Sequence, residues 1–240
     1  MYYFIDLFCG FGAMTKAFER TGAFKSVLAA DIDDNMRVHF DYLFRKKPLG
    51  DIFSKETMKA IHITPYDILC AGINGLNEEA FYKVLEIVEK DIPKAFVLEM
   101  DTSIISKSFC KILKNFCEKH EYHFVGYKDS IDDITLNLEN FGVPEFCERV
   151  YCVCLKNEWI RCKDDLFLQL NKKHDYECYK YTKYEPEKKP EQRRGIDWGF
   201  GGNFRFLDGT PENHKIAIID EASPIPMTCN VALSLMEWLI

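Results

Sequence analysis

A short stretch near the start, residues 4–13, joins an apolar run to a glycine turn and constrains the fold more than any other part of the chain. The run at 2–8 is interrupted by one charged residue, Asp6, which is typical of a buried strand. Gly10 and Gly12 end that run, and helical spacing follows. Glycines let a ligand approach the backbone, and free amide groups face it at the helix N-terminus. The stretch predicts a nucleotide-type pocket, although many doubly wound folds begin this way without one.

The length and composition of the chain indicate one substantial globular core. With 240 residues and 47% hydrophobic composition, the chain can bury such a core and carry a small additional lobe. No apolar run is long enough to span a bilayer, and no signal-peptide pattern precedes the first strand. We therefore expect an intracellular protein, cytoplasmic or nuclear, with no membrane partner.

The ten cysteines are spread mainly through apolar strand and helix patterns, and no two of them form a CxxC pair. This distribution favours buried reduced thiols over disulfides, and it predicts no metal site. The formal net charge of −7 argues against bulk electrostatic binding of nucleic acid, because such binding depends on neutralising phosphates. Only a local basic face would support contact with DNA, so DNA is a weak candidate partner.

Strand and helix patterns alternate through the first two thirds of the chain. Predicted strands cover 2–8, 24–30, 48–52, 67–72, 95–100, 123–127 and 149–154, and predicted helices cover 13–20, 35–44, 78–90, 106–120 and 231–240. This order predicts an α/β fold whose mostly parallel sheet carries helices on both faces. Ligands of such sheets bind beyond the carboxyl ends of the strands. The residues predicted at that rim are Gly10, Asp31, Asp51, Gly72 and Glu99.

Asp31 follows the second predicted strand, about twenty positions after the glycine turn, where an acidic residue can accept hydrogen bonds from ribose hydroxyls. It can also cap the helix that follows, since aspartate is a favoured N-cap residue. Neighbouring aspartates can divide these two roles, so the sequence leaves both open. Further along, Asp51 offers a carboxylate and Ile52 an apolar contact for a purine ring.

Taken together, these motifs resemble those of the DNA cytosine-5 methyltransferase family over residues 3–156. Phe-Ile-Asp-Leu-Phe-Cys-Gly-Phe-Gly at 4–12 is similar to the first motif of the family, Ala-Asp-Ile-Asp at 30–33 to the second, and Gly-Asp-Ile at 50–52 to the third. The resemblance implies a Rossmann-like methyltransferase fold that binds S-adenosyl-L-methionine or its product S-adenosyl-L-homocysteine. The implied cofactor contacts are Phe8, Gly10, Gly12, Asp31, Ile32, Asp51, Ile52, Gly72 and, in a weak match to the closing Gly-Asn motif, Asn230.

The catalytic motifs of the family are matched only in part. Glu99 lies in a Leu-Glu-Met match to Glu-Asn-Val, and residues 141–149 resemble the segment that ends in Gln-x-Arg-x-Arg. Glu145 stands for the glutamine and Cys147 for the first arginine, so the implied catalytic remnants are Glu99 and Arg149. A carboxylate in place of the glutamine and the loss of an arginine both weaken the contacts of this segment with DNA.

Gly75 occupies the position of the family's catalytic cysteine. In the family, a thiolate adds to C6 of cytosine, a glutamate hydrogen-bonds and protonates N3, and the resulting enamine attacks the methyl group. The family motif Pro-Cys-Gln is replaced here by Ile-Asn-Gly-Leu at 73–76, and the loop that closes over a flipped base is too short before the helix at 78–90. Cys70 and Cys147 are not expected to substitute, because catalytic geometry tolerates displacements of only about an ångström.

The composition changes after the predicted core. The expected organisation is a methyltransferase-like core at 1–156, a reduced target-recognition-like region at 157–222 and a C-terminal helix at 223–240 that packs back on the core. The middle region interleaves lysine and arginine with tyrosine, which favours nucleic-acid binding, but its glutamates fit a solvated surface segment equally well. Residues 194–202 resemble the glycine-rich start of the family's recognition region.

The losses fall on the DNA side of the implied site, while most cofactor-side positions persist. The sequence therefore predicts a catalytically inactive homologue that binds the cofactor and acts as a regulatory or structural partner of an active methyltransferase or another protein subunit. Three alternatives remain open. The chain methylates a different acceptor, since an amine, thiol or hydroxyl needs no covalent adduct; a partner chain completes the DNA methyltransferase activity; or the cofactor site is empty.

Overall fold

The computed structural model of this chain describes residues 1–73, 78–103, 105–141, 147–161 and 224–239. The strands are β1 (Tyr2–Leu7), β2 (Phe24–Ala30), β3 (Ile68–Ile73), β4 (Ala95–Asp101), β5 (Tyr122–Phe124), β6 (Thr135–Asn137) and β7 (Glu148–Lys156). The helices are α1 (Ala13–Arg20), α2 (Asp34–Phe44), α3 (Lys55–Ile63), α4 (Glu78–Asp91), α5 (Lys107–Lys119) and α6 (Ile225–Trp238).

The described strands form one mixed sheet in the order β2-β1-β3-β4-β7-β5, with β6 paired to β7. β1, β2, β3 and β4 are parallel, whereas β7 runs antiparallel to β4, β5 and β6. The strand order reverses between β1 and β3, so the carboxyl ends of the parallel strands meet at one edge, with a crevice at the reversal. This arrangement confirms the predicted Rossmann-like α/β fold.

The two faces of the sheet carry separate hydrophobic clusters. α1 and α6 cover one face, and α3, α4 and α5 cover the other. α6 is tied directly to the start of the chain, because the Cys229 thiol donates a hydrogen bond to the Ala17 carbonyl at 3.2 Å. The Tyr151 and Thr228 hydroxyls form a buried hydrogen bond of 2.8 Å between β7 and α6. α6, the last described helix, therefore packs beside α1 and completes the core on that face of the sheet.

The structure departs from the prediction at several elements, including β6, which was not predicted, and β5, which was expected at 123–127. The strand expected at 48–52 is only an isolated bridge, in which Leu49 pairs with Ala30. α3 was not predicted, because only Thr57 and Ile61 of its residues are buried and its apolar pattern is correspondingly weak. α6 begins six positions before the expected start, since a proline in the first helical turn leaves the helix intact rather than breaking it.

Several predicted features fall outside the described residues. Gly75 lies in the segment 74–77, and residues 142–146 include the glutamate predicted to replace the family's glutamine. Residues 162–223 contain most of the expected recognition region and its glycine-rich stretch. Among the helices of the described ranges, none has the length and apolar character that crossing a membrane requires.

Candidate cofactor and catalytic site

The turn between β1 and α1 contains three residues with positive φ: Phe8 at 55°, Gly10 at 51° and Gly12 at 96°. It closes through a hydrogen bond of 2.8 Å from the Gly12 amide to the Cys9 carbonyl. A Cβ at Gly12 would overlap the Phe44 ring, whereas a Cβ at Gly10 would meet no atom within 4 Å. Gly12 is therefore required for packing, and Gly10 borders open space at the carboxyl end of β1.

Asp31 connects the end of β2 to this turn. Its two carboxylate oxygens accept hydrogen bonds from the amides of Gly10, at 2.7 Å, and of Asp33, at 2.8 Å. Burial raises the pKa of the Asp31 carboxyl, and these two hydrogen bonds oppose the rise only in part. The N-cap of α2 is Asp33, whose side chain accepts from the amides of Asn35 and Met36. Capping thus belongs to the neighbouring aspartate, and Asp31 contacts the glycine turn.

The remaining predicted cofactor contacts differ in their exposure. Ile32 is 69% exposed, directly beyond Asp31, and presents an apolar surface to solvent. Ile52 is only 2% exposed and packs in the cluster under α3 and α4. The Asp51 carboxylate accepts a hydrogen bond from the Phe53 amide at 2.9 Å. Asn230 is fully buried within α6. Among these residues, Ile32 has the most accessible apolar side chain.

Gly72 and Glu99 are paired across β3 and β4 at the same edge of the sheet. A Cβ at Gly72 would lie 3.6 Å from the carbonyl oxygen of Phe8 and 3.6 Å from Oε2 of Glu99. The structure therefore brings together three residues that the sequence placed in separate motifs. The site is continuous from the glycine turn to the predicted catalytic carboxylate.

Glu99 is held by Arg149, the other predicted catalytic remnant. Arg149 Nε lies 3.1 Å from Oε1 of Glu99, and Arg149 Nη1 lies 3.2 Å from Oδ2 of Asp101. Glu99 is only 1% exposed, so the guanidinium compensates a charge that is almost fully removed from water. Burial alone would lower the pKa of Arg149, but the neighbouring carboxylates, led by Glu99, raise it. The pair is fixed by the antiparallel register of β4 and β7.

Asp6 is an additional polar group near the carboxyl end of β1 that was not among the predicted site residues. It is fully buried, and its Oδ2 accepts hydrogen bonds from the Thr15 hydroxyl at 2.6 Å and the Thr15 amide at 3.1 Å. Its Oδ1 has no hydrogen-bond partner in the described part of the chain. Burial, partly offset by these hydrogen bonds, raises the pKa of Asp6 from 3.8 to about 7. A lone charge inside an apolar strand pattern was the available sequence signal.

Replacing Asp6 with asparagine is expected to stabilise the protein at pH 8 and to change its stability little at pH 4. The folded-state pKa of about 7 exceeds the ordinary value of 3.8, so the stability contributed by protonated Asp6 is complete below about pH 4. It is lost as the pH rises through 7. We expect urea unfolding at pH 8 to show a gain on the order of 4 kcal/mol for the variant. Equal pH slopes for the wild type and Asp6→Asn, with exposed Asp41→Asn as control, would contradict the assignment.

The cysteines of the described segments provide no exposed thiol at this edge. Cys9 and Cys70 are buried, and burial followed by the charge of Asp6 raises the pKa of both thiols well above the usual range. Cys147 is half-buried immediately before β7, where its carbonyl accepts a hydrogen bond of 2.9 Å from the Leu138 amide. A thiolate nucleophile is strongly disfavoured at Cys9 and Cys70.

Comparison with known proteins gives a consistent family relationship. The model of the C-5 cytosine-specific DNA methylase family matches residues 2–194. Type II methyltransferase M.HpaII from Haemophilus parainfluenzae is 31% identical over 167 residues, covering 62% of this chain and 45% of that protein. Type II methyltransferase M.HhaI from Haemophilus parahaemolyticus is 28% identical over 172 residues, covering 65% and 49%. The chain spans about half the length of these curated relatives.

Solved structures of low sequence identity share the fold. The S. pombe Dnmt2 methyltransferase superposes with a TM-score of 0.77 at 12% identity, covering 99% of both chains. A Spodoptera frugiperda DNMT2 mutant gives a TM-score of 0.72 at 11% identity, covering 98% of this chain and all of the other. The fold described above is therefore that of a methyltransferase domain.

Proposed function

Because this chain belongs to the C-5 cytosine-specific DNA methylase family, we propose that it retains the S-adenosylmethionine pocket, lacks the nucleophile for cytosine methylation, and acts as a binding subunit. The single observation that carries the proposal is the residue at the nucleophile position, Gly75, which has no side chain to form a covalent bond. Adenosylmethionine chemistry is common to the family. We expect this chain to bind the cofactor without transferring its methyl group to cytosine, and to act through contact with a partner.

The residues at the glycine turn fit the cofactor. Open space borders Gly10, where an added Cβ would touch nothing within 4 Å. Each carboxylate oxygen of Asp31 accepts one amide hydrogen bond and has a further lone pair for a ribose hydroxyl. Ile32 supplies exposed apolar surface beside that carboxylate for an adenine ring. When bound, the cofactor would supply an electrophilic methyl group on a sulfonium centre.

The residues of the catalytic half support binding without transfer to cytosine. The family route needs a thiolate beside C6, because C5 of cytosine is otherwise too weakly nucleophilic. The nearest thiol along β3, Cys70, is fully buried beside Asp6, and its pKa is raised well above the usual range by burial. Glu99 remains in place but its Oε1 faces the Arg149 guanidinium. A carboxylate without the thiol can orient a base but cannot activate it.

Isothermal titration with S-adenosylmethionine, followed by a radiolabelled methyl-transfer assay on cytosine-containing DNA, tests the proposal. We expect saturable cofactor binding and no transfer above a no-protein control. Asp31→Ala should weaken binding at least about tenfold, equivalent to about 1.4 kcal/mol, whereas Asp41→Ala on the exposed side of α2 should not. In a thermal scan, ligand at a hundred times its dissociation constant should stabilise the wild type by about 2.7 kcal/mol.

The outcomes separate the proposal from its alternatives. Robust transfer to DNA by the purified chain would overturn the lost-nucleophile assignment. Transfer that appears only after adding a partner chain would support a split enzyme, and label in an amine, thiol or hydroxyl acceptor would support a different methyltransferase. Absence of any heat or thermal shift would overturn cofactor binding and leave a scaffold.

A further inference from the structure

A cleft of about 500 Å³ between α3 and α4 lies outside the site described above. Its lining is unusual in a chain whose formal net charge is −7, because cations outnumber anions around an apolar floor. The basic side chains on its rim are Lys55, Lys59, Lys83 and Lys90, and the acidic one is Glu86. The apolar floor, hereafter the cleft floor, consists of Phe53, Met58 and Ile63.

The positive charge of the cleft is mostly uncompensated. Within the described ranges, Lys55, Lys59 and Lys90 form no ion pair with any carboxylate. Lys83 pairs with Glu86 at 2.8 Å, which removes one cation and the acidic side chain from the balance. His62 at the same rim places its Nδ1 2.6 Å from Asp91 and leaves the excess of lysines unchanged. A ligand with two or three carboxylates would find partners here.

Two apolar side chains of the cleft floor are exposed to solvent, where a helix face that only contacts water needs none. Phe53 is 40% and Ile63 is 70% exposed, at opposite ends of α3. Along α3, Lys55, Lys59 and Ile63 follow one another at spacings of four residues, so cations and an apolar side chain share one face of the helix. An amphipathic helix laid in a groove of this kind makes apolar contacts in its centre and charged contacts at its edges.

We propose that this cleft binds an acidic amphipathic segment of a protein partner, with leucine- or phenylalanine-type anchors on the cleft floor and carboxylates on the lysine rim. Nucleic acid is the less suitable occupant. Its bases need open aromatic faces, but the ring of Phe53 has the Lys83 ammonium 5.9 Å from its centroid, and Ile63 offers no stacking surface. Naming a protein as the occupant rests on the proposed role of the chain as a binding subunit.

The test uses this chain and a fluorescein-labelled helical peptide of about twelve residues. Its leucines recur at helical spacing along one face, and glutamates flank that face. Fluorescence anisotropy measures its affinity for the wild type, for Lys59→Glu/Lys90→Glu, and for the matched control Lys47→Glu/Lys111→Glu on other exposed surfaces. We expect the cleft variant to lose affinity by about tenfold or more, the control to be unchanged, and binding to weaken with salt. Peptides with lysine for glutamate, or serine for leucine, should bind poorly.

Each contrary result has a defined meaning. Equal affinity for both double variants, or no binding to the wild type, would overturn the cleft as the docking site. Binding of a single-stranded or duplex oligonucleotide that depends on Lys59 and Lys90 would overturn the protein occupant. Cofactor titration and methyl transfer are measured on the same samples. A failed peptide test therefore leaves the proposed function standing. DNA methylation by the wild type would refute that function but would leave the measured peptide binding to the cleft unchanged.

Discussion

Replacing Arg149 with methionine is expected to lower the free energy of unfolding by about 3 to 5 kcal/mol, the usual cost of breaking a buried ion pair on one side. Glu99 is 1% exposed, and Arg149 Nε lies 3.1 Å from its Oε1. Methionine has a similar length but no charge, so the carboxylate would remain buried beside an apolar side chain. Urea unfolding at neutral pH measures the loss.

The double variant Arg149→Met/Glu99→Gln is expected to recover more than half of that loss, because the uncompensated charge is then removed. The exposed pair of Lys114 and Asp129, at 3.0 Å, provides the matched control. Lys114→Met should cost less than about 1 kcal/mol, as exposed ion pairs usually do. A similar cost for Lys114→Met and Arg149→Met would show that burial of Glu99 does not determine the effect.

Replacing Gly12 with alanine is expected to destabilise the protein by about 3 kcal/mol, through backbone strain together with overpacking. The φ angle of 96° lies beyond the region that residues with a side chain tolerate. The new Cβ would overlap the Phe44 ring and lie 2.9 Å from Cδ2 of Phe40. Phe40 is fully buried, and its ring centroid is 4.6 Å from that of the partly buried Phe44, so Phe40 limits how far the Phe44 ring can move away.

Gly22 separates the two causes. Its φ of 72° is also positive, but an added Cβ would meet nothing within 4 Å. Gly22→Ala should therefore cost about 1 kcal/mol from the backbone alone. Gly12→Ala should therefore cost less free energy of unfolding when it is made in the Phe44→Ala variant than when it is made in the wild type. The same unfolding assay measures both differences. If Gly12→Ala and Gly22→Ala were equally costly, the overlap with Phe44 would be irrelevant.

The elements that the sequence predicts well are those whose signals are local. The bounds of α1 and β2 agree with the prediction because glycines and a clear change of apolar period mark their ends. α3 was missed because it buries few side chains, and the expected strand at 48–52 was overestimated because its single bridge to Ala30 depends on tertiary contact.

The candidate site was predictable as a set of positions but not as a set of contacts. The family motifs predicted Glu99 and Arg149 as catalytic remnants, yet their ion pair follows from the antiparallel register of two strands distant in the chain. Asp6 was visible only as an interruption in an apolar run, and its burial against Thr15 depends on how α1 folds back. Assigning the N-cap of α2 to Asp33 instead of Asp31 required backbone geometry. Pair contacts between remote residues are not encoded in local patterns.

The contact between Cys229 and Ala17 joins residues 212 positions apart, and α6 covers the sheet face that α1 occupies. During vectorial synthesis, α1 leaves the ribosome long before the helix that shields it. A nascent chain therefore carries the apolar surface of α1 uncovered by α6 while the 212 positions between these residues are synthesised, which favours slow folding and demand for chaperones.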